Sequence, residues 1–221
     1  VYSKEMEHDA CGVGVIVSTE GKKSREIVEH GIEALKAVWH RGAVDADGKT
    51  GDGAGIHVEI PKDFFIEKIE VTGHDYDNAE ICVGMIFLPR NDYSAQESCK
   101  TIVESELTKN NFSIYGWRQV PVNPKILGQK ALQTMPEIIQ VLFKSNDQNL
   151  LDKNLERKIY ETRKKIEKKA FQLSLNNFYI CSISSKSIIY KGLYLAEAIS
   201  DFYLDLKDKR FISRYAIFHQ R

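Results

Sequence analysis

Cys11 stands where a cysteine could become a nucleophile with a base on the same residue. It opens an apolar run through Val17, which predicts a buried strand, and it follows the mostly polar residues Val1–Ala10. Cleavage after Ala10 would free the α-amine of Cys11. Such an amine has a pKa of about 7.7–8.0 in model peptides, so it can act as a general base for the thiol. A buried structural cysteine is the alternative, because free cysteines are among the most buried residues.

Arg221 is the second candidate for chemistry. It follows Phe218-His219-Gln220 at the end of a predicted strand, where a guanidinium could pair with a substrate carboxylate through two hydrogen bonds. His219 lies beside it and is open to an active-site role or to packing in the core. A surface arginine without a ligand is the alternative for Arg221.

A glycine-rich loop precedes the second predicted strand. The segment 43–55 contains four glycines, and exposed backbone N–H groups in such a loop can bind phosphate. However, Lys49-Thr50 precedes the key glycines instead of following them as in a P-loop, and no G-x-G-x-x-G opens a helix. The alternative is a tight turn in which two backbones approach closely.

Composition excludes several classes of function. The 221 residues carry 31 basic and 31 acidic side chains, so no overall charge favours nucleic acid or an anionic membrane. The basic stretch Lys153–Lys169 is interspersed with glutamates around an apolar stripe, which is typical of a solvent-facing helix. No apolar run approaches the ~20 residues of a membrane helix. No C-x-x-C or H-x-x-x-H spacing predicts a metal site.

Hydrophobic periodicity predicts both strands and helices. The predicted strands are Gly12–Val17, Gly55–Ile60, Ile81–Leu88, Phe112–Val120, Glu137–Phe143, Phe178–Ser184, Ser187–Lys191 and Arg214–His219. The predicted helices are Ser24–Trp39, Asp63–Ile69, Tyr93–Leu107, Leu151–Leu173 and Tyr194–Leu206. The sixth and seventh strands are expected to pair through a turn at Ser185-Lys186. Because no tail follows the last strand, we expect the natural chain to continue beyond Arg221.

Eight short segments stand in an order that is typical of one family. They are Asp9-Ala10-Cys11-Gly12-Val13-Gly14, His40-Arg41-Gly42-Ala43, Ala46-Asp47-Gly48-Lys49-Thr50-Gly51-Asp52-Gly53, Tyr115-Gly116-Trp117-Arg118, Val120-Pro121-Val122, Thr134-Met135-Pro136, Ile189-Tyr190-Lys191-Gly192 and Phe218-His219-Gln220-Arg221. Together they resemble the start of glutamate synthase large chains over essentially the whole sequence. Each segment is weak alone, but the ordered set favours a catalytic Cys11 over a structural one.

The resemblance implies a class II glutamine amidotransferase domain. Its fold would be α+β, the N-terminal-nucleophile hydrolase fold: a four-layer αββα sandwich of two antiparallel sheets between helical layers, here truncated at its C-terminal end. The implied organisation is a leader over residues 1–10 and an amidotransferase domain over residues 11–221 that continues further.

The resemblance also implies a mechanism. The thiolate of Cys11 attacks the side-chain amide of glutamine, its freed α-amine relays the proton, ammonia leaves, and water hydrolyses the thioester to glutamate. Arg221 would hold the α-carboxylate of glutamine. Arg41-Gly42 would line the pocket, and Asp52-Gly53 would shape the adjoining loop.

Two departures from the family pattern bear on activity. The family's oxyanion-hole Asn-Gly pair and the acidic residue that holds the glutamine amino group lie downstream of the arginine, so this chain lacks them. Losing an oxyanion donor typically costs about 10²–10³ in rate. While Val1–Ala10 is attached, moreover, the nitrogen of Cys11 is an amide and accepts no proton. We therefore expect the 221-residue chain to be inactive or nearly so.

Partners and cofactors follow from the resemblance as well. L-glutamine would be the substrate, and ammonia would travel to 2-oxoglutarate in the remaining synthase domains, which would carry FMN and an iron–sulfur cluster. Ferredoxin or an electron-donor subunit using NADPH or NADH would supply electrons. No cofactor, nucleic acid or membrane is expected for these 221 residues. Val1–Ala10 lacks the apolar core of a secretory signal, and the widely spaced cysteines suit a reducing compartment, so the cytoplasm or the plastid stroma is expected.

Two other functions stay open at this point. One is another class II amidotransferase, which would deliver ammonia to a sugar phosphate or to phosphoribosyl pyrophosphate; the segments Ala46–Gly53 and Tyr115–Arg118 argue against it. The other is a non-catalytic module that packs against a partner. Such a module has no need to expose Cys11, so removal of Val1–Ala10 would distinguish a catalytic amidotransferase from a non-catalytic module.

Overall fold

The computed structural model describes residues 11–147, 149–150 and 152–221. Its strands are β1 (Gly12–Val17), β2 (Ala54–Glu59), β3 (Cys82–Leu88), β4 (Phe112–Gln119), β5 (Glu137–Ser145), β6 (Tyr179–Ser184), β7 (Ser187–Gly192) and β8 (Tyr215–Gln220). All eight predicted strands are confirmed, each within two residues at either end. The predicted leader Val1–Ala10, and Leu151 at the start of a predicted helix, lie outside the described residues.

Four of the five predicted helices are confirmed. The α-helices are α1 (Arg25–Ala37), α2 (Lys62–Val71), α3 (Tyr93–Lys109), α4 (Gln129–Thr134), α5 (Asp152–Gln172) and α6 (Ile199–Phe202). The side chain of Ser24 caps α1 by accepting a hydrogen bond from the backbone N–H of Ile27 at 3.4 Å, which satisfies one of the free donors of the first turn. None of the helices in the described ranges is long and apolar enough to cross a membrane.

The strands form two antiparallel sheets of four strands. The first has the order β1-β8-β2-β7, and the second has the order β4-β5-β3-β6. The first and last strands of the described chain are therefore neighbours, and Gly12 pairs with Gln220. This pairing brings together residues that are about 200 positions apart in sequence, which local periodicity does not reveal.

The helix α1 covers one face of the first sheet. A side chain at Gly31 of α1 would lie 2.4 Å from the Cβ of Ala216 in β8, so the close approach of helix and strand requires glycine there. Because successive residues of a strand point to opposite faces, the other face of β1 presents Val13, Val15 and Val17. These three valines are 66%, 59% and 59% exposed.

The second sheet has a helical layer of its own. Helices α3 and α5 pack against each other and against this sheet, and they bury one of two apolar clusters, whose members include Cys82, Ile86, Val103, Leu107, Phe143, Ile159 and Ile166. The opposite face of the second sheet joins the larger cluster, to which α1, α2 and the first sheet also contribute.

The connection between β6 and β7 differs from its prediction. Both strands exist, but β6 pairs with β3 in the second sheet and β7 pairs with β2 in the first, so the predicted strand pair is wrong. The carboxylate of Glu156 in α5 accepts hydrogen bonds from the backbone N–H and the hydroxyl of Ser185, both at 2.7 Å. The helix thus fixes this connection as a corner between sheets.

The helix predicted over Tyr194–Leu206 is wrong as a single element. The segment contains a 3₁₀ turn, the short helix α6 and a second 3₁₀ turn, and Tyr203 between the last two is extended. Tyr203 forms an isolated bridge with Val122, and the N–H of Leu204 donates to the carbonyl of Pro121 at 3.1 Å. Pairing with this distant backbone outcompetes a continuous helix. The sequence reading also missed α4.

A buried ion pair joins the second sheet to the segment after α6. The guanidinium of Arg118 in β4 donates to both carboxylate oxygens of Asp205, at 2.8 and 2.9 Å. Arg118 also donates to Gln140 at 2.7 Å, and the hydroxyl of Tyr190 donates to Asp205 at 3.0 Å. All four polar groups are thereby partnered inside the protein, as buried polar groups require.

Candidate active site

Cys11 and Arg221 lie at the same end of two neighbouring strands. The antiparallel register of β1 and β8 pairs Gly12 with Gln220 and Val13 with His219, so one further step along the register places Cys11 opposite Arg221. Cys11 is half-buried and its thiol is free. The register therefore brings the thiol of Cys11 and the arginine Arg221 to the same end of the first sheet.

The other three cysteines are poor nucleophiles. Cys82, Cys99 and Cys181 are buried free thiols, and burial raises the pKa of the Cys99 thiol to about 11 and that of Cys181 to about 12. Burial also raises the pKa of the Cys82 thiol well above its usual value. Because the thiolate is the reactive form, Cys11 is the cysteine best placed to attack a substrate.

The turn at Arg41-Gly42 packs directly on the strands that carry Cys11 and Arg221. A side chain at Gly12 would lie 3.2 Å from Val38 and 3.3 Å from the Cβ of Arg41. A side chain at Gly42 would overlap the amide of Gln220, 1.8 Å from its nitrogen. Two glycines thus let the turn approach the start of β1 and the end of β8.

Arg221 is held through its backbone on two sides. Its N–H donates to the carbonyl of Gly53 at 2.9 Å, and its carbonyl accepts from the N–H of Ala43 at 3.3 Å. Gly53 has φ +139, a conformation that residues with a side chain rarely adopt. The predicted loop residue Gly53 therefore contacts the predicted binding residue Arg221.

The glycine-rich loop satisfies its own donors. The carboxylate of Asp47 accepts from the backbone N–H of Lys49 at 2.9 Å, and from the N–H and the hydroxyl of Thr50 at 2.7 and 2.6 Å. These hydrogen bonds, that of the Thr50 hydroxyl first, hold the pKa of Asp47 well below its usual range. Because an acidic side chain already accepts from these N–H groups, the backbone of Lys49 and Thr50 does not offer them to a phosphate.

The same loop makes the close backbone approach expected of a tight turn. Val44 and Gly51 form an isolated bridge, and a side chain at Gly51 would lie 2.7 Å from the carbonyl oxygen of Tyr194. The hydroxyl of Thr50 accepts from the N–H of Ala131 at 3.3 Å, which attaches the loop to α4. The loop is therefore fixed at both ends of its turn.

A cleft of about 530 Å³ opens beside Arg221. Its polar lining residues include Asp52, His57, Lys191, His219 and Arg221. Gly55 lies between His219 and Lys191 in the register, and a side chain there would lie 2.8 Å from the Cβ of Lys191. The Lys191 ammonium donates to the hydroxyl of Tyr179 at 2.6 Å, and burial lowers the pKa of His57.

The cleft does not gather every predicted site residue. Its lining includes Asp52, Gly53 and Arg221 but neither Cys11 nor Arg41. A larger cleft of about 670 Å³ shares Lys191 with it and contains none of the predicted site residues. The cleft thus contains the predicted carboxylate-binding residue and the loop beside it, but not the predicted nucleophile.

The chain is similar to proteins of one known family. The family described as glutamine amidotransferases class-II matches residues 11–221, a range that begins at Cys11. This chain belongs to the class-II glutamine amidotransferases. The fold predicted from the resemblance is confirmed: the chain is an α+β N-terminal-nucleophile hydrolase domain with two antiparallel sheets and helices packed on them.

The relatives of this amidotransferase are glutamate synthases. The chain is 54% identical over 220 residues to the glutamate synthase [NADPH] large chain of Azospirillum brasilense, covering 100% of the chain and 14% of that protein. It is 40% identical over 217 residues to ferredoxin-dependent glutamate synthase 1, chloroplastic/mitochondrial, of Arabidopsis thaliana, and 37% identical over 216 residues to ferredoxin-dependent glutamate synthase 2 of a Synechocystis strain. The predicted resemblance to glutamate synthase large chains is confirmed.

This amidotransferase chain matches only a small part of each relative. The matches to the Arabidopsis and Synechocystis proteins each include 97% of this chain, but they include only 13% and 14% of those proteins. The chain thus spans about one seventh of the relatives that it matches.

The described residues do not fit an iron–sulfur cluster. No group of three or more His, Cys, Asp or Glu side chains in these ranges could hold a metal ion. Cys82, Cys99 and Cys181 are buried, and their raised pKa values keep them as thiols, whereas cluster ligands are thiolates.

One residue of this site was missed from the sequence. Gln220 is 2% exposed, packs on Gly42 and precedes Arg221. The alternation of β8 places Gln220 on the face opposite to His219, so the signal was available. Glutamine is nevertheless easy to miss as a site residue, because its side chain carries no charge and has no titratable group.

Proposed function

We propose that this domain performs the glutaminase half-reaction of a glutamate synthase. The observation that carries the proposal is the register of β1 and β8, in which Gly12, next to Cys11, pairs with Gln220, next to Arg221. The free thiol supplies a nucleophile, and the guanidinium can bind the α-carboxylate of glutamine through two hydrogen bonds. The match to class-II amidotransferases and the synthase names of the relatives support the choice of glutamine.

The reaction proceeds in two steps. The α-amine of mature Cys11 takes the proton from the thiol, and the thiolate adds to the γ-carbonyl carbon of glutamine. The C–N bond breaks, the amine returns the proton to the departing nitrogen, and ammonia and a γ-glutamyl thioester result. Water then attacks the thioester carbon, the C–S bond breaks, and glutamate and the free thiol are released.

The neighbouring residues position the substrate. Arg41-Gly42 forms the turn that packs on Gly12, next to the nucleophile, and lines the pocket at that end. Gly53 holds the backbone of Arg221, and Asp52 lines the cleft beside it. We assign Asp52 and Gly53 to shaping the site.

The wider assignment rests on the relatives. Val1–Ala10 is a leader that must be removed before the α-amine can act, and residues 11–221 form part of the amidotransferase domain. The ammonia serves 2-oxoglutarate in other domains, where FMN and an iron–sulfur cluster supply the redox chemistry and ferredoxin or a donor subunit supplies electrons. The compartment is the cytoplasm or the plastid stroma. The 221-residue chain alone has little or no activity.

An intact mass with N-terminal sequencing of the natural full-length protein tests the proposal, before and after treatment with the glutamine-like electrophile diazo-oxo-norleucine. We expect a chain that begins at Cys11 and gains one adduct on that residue. Cys11→Ala should gain none. Arg221→Lys should raise the KM for glutamine, whereas Arg214→Lys, on the same segment but paired with Glu59, should not. A chain that retains Val1–Ala10 and takes no label would contradict the proposal and favour a non-catalytic module.

A further inference from the structure

Gln220 has a buried acceptor that nothing in the described structure satisfies. The side chain is 2% exposed, and its Oε1 atom has no hydrogen-bond partner among the described residues. Buried side-chain oxygens are nearly always hydrogen-bonded, and each exception needs an explanation. The other such atom in the described ranges is the hydroxyl of Tyr194.

The position of Gln220 suggests which donor it serves. Its backbone pairs with Gly12 on one side and Ala54 on the other. Directly paired residues of a sheet point to the same face, so the Gln220 side chain lies on the face where Gly12 has no side chain. Its amide fills the space against Gly42. The amide group that carries the orphaned oxygen therefore lies against the Arg41-Gly42 turn, on the face of the sheet where Gly12 has no side chain.

Cleavage adds donors at this place and frees the nitrogen from its amide geometry. While Ala10 is attached, the nitrogen of Cys11 is an amide with one N–H. Removal of Val1–Ala10 turns the same atom into an amine with two or three N–H bonds, one residue from the pairing partner of Gln220. A buried acceptor that has no partner among the described residues thus gains further N–H donors nearby in the mature chain.

We propose that Oε1 of Gln220 accepts a hydrogen bond from the α-amine of mature Cys11 and so directs the amine lone pair toward the thiol. This inference rests on the proposed function. Gln220 is then a positioning residue: it touches neither the substrate nor the thiol, and it acts through the base. The proton still passes from the thiol to the amine and on to the departing ammonia.

Two substitutions of nearly equal size separate this role from packing. Gln220→Met keeps the volume and removes the acceptor, and Gln220→Glu keeps the acceptor and adds a negative charge. The matched control is Gln96→Met, because Gln96 is also buried and donates from its amide to the carbonyl of Pro89 at 2.7 Å. All variants are made in the full-length protein, and mass spectrometry verifies that each begins at Cys11.

The readouts are the kcat and KM for glutamine and the pH dependence of labelling by diazo-oxo-norleucine. For Gln220→Glu we expect the acid limb of the pH profile to move up by about one pH unit or more, because a nearby opposite charge stabilises the ammonium form. For Gln220→Met we expect the limb to move down, with kcat about tenfold lower because general-base catalysis is impaired, and KM within about twofold. Gln96→Met should leave the pH profile in place.

If the acid limb of the pH profile moves in opposite directions in the two Gln220 variants, the proposal is supported. A loss of packing would move the acid limb in the same direction in both. A Gln220→Glu profile that coincides with that of the unsubstituted protein would overturn it, and so would an equal shift in Gln96→Met. Failure of the proposed function looks different: the unsubstituted protein would then retain its leader or take no label at Cys11, whatever residue stands at position 220.

Discussion

Replacing Asp205 with asparagine tests the most buried ion pair of the domain. The side chains of Arg118 and Asp205 are only 12% and 2% exposed, and Asp205 also accepts from the hydroxyl of Tyr190. Asp205→Asn keeps the shape and one acceptor but removes the charge. The guanidinium of Arg118 is then left inside the protein without its counter-ion.

The expected loss in the free energy of unfolding is large for the exchange of one carboxylate oxygen for an NH₂ group. Removing one partner of a buried pair destabilises by about 3–5 kcal/mol because the remaining charge stays desolvated. Since asparagine retains one acceptor, we expect the lower end, about 3 kcal/mol. For a chain of this size each kcal/mol lowers the melting temperature by roughly 2–4 °C, so Asp205→Asn should melt about 6–12 °C lower.

Urea unfolding of the 221-residue chain, followed by circular dichroism, measures the change. Glu20→Gln is the matched control, because Glu20 pairs with Lys22 where the two side chains are 70% and 80% exposed; its cost should stay below about 1 kcal/mol. The double variant Arg118→Met with Asp205→Asn should lose less than the sum of the single losses. If Asp205→Asn costs no more than Glu20→Gln, the buried pair does not contribute as argued.

Two further predictions concern the site and the acid limit of stability. Gly42→Ala should slow labelling of Cys11 in the mature protein, because its Cβ would lie 1.8 Å from the amide nitrogen of Gln220 and this side chain must shift. Gly48→Ala meets no atom within 4 Å and should leave labelling unchanged, at a cost of only about 1–2 kcal/mol of backbone strain; equal labelling in both would refute the steric argument. Lys144 lowers the pKa of Asp77 from 3.8 to about 2, so Asp77 stabilises the fold above its unfolded pKa and loses this contribution as pH falls toward the folded value. The stability difference between the unsubstituted chain and Asp77→Asn should therefore be present at about pH 6 and vanish near pH 2 in urea titrations; a constant difference would contradict it.

The local elements of this fold were predictable because their signals are local. The alternation in Gly12–Val17 and the apolar stripe of the long helix α5 depend on residues that are close in sequence. The partners of β6 and β7 were not predictable in this way, because Glu156 of α5 fixes the corner between them. Tyr194–Leu206 carries a helical pattern, yet the bridge of Tyr203 to Val122 interrupts it.

The site was predictable in its members but not in its arrangement. Cys11 and Arg221 were identified from their residue types and from the ordered segments around them. Their placement on adjacent strands depends on the β1–β8 register, which joins the two ends of the described chain and has no local signal. The alternation of β8 gives the face on which Gln220 lies, but its buried and unpartnered oxygen depends on packing by residues that are distant in sequence.

The self-contained turn around Asp47 has a consequence for the thermodynamics of ligand capture. The carboxylate of Asp47 accepts hydrogen bonds from the N–H groups of Lys49 and Thr50. In the same loop, the carbonyl of Gly53 accepts from the N–H of Arg221. Conformational entropy of this loop is therefore lost when the protein folds, before any ligand arrives. A rigid receptor retains more of its contact energy as affinity, so loosening the turn, even far from the ligand, should weaken binding through disorder alone.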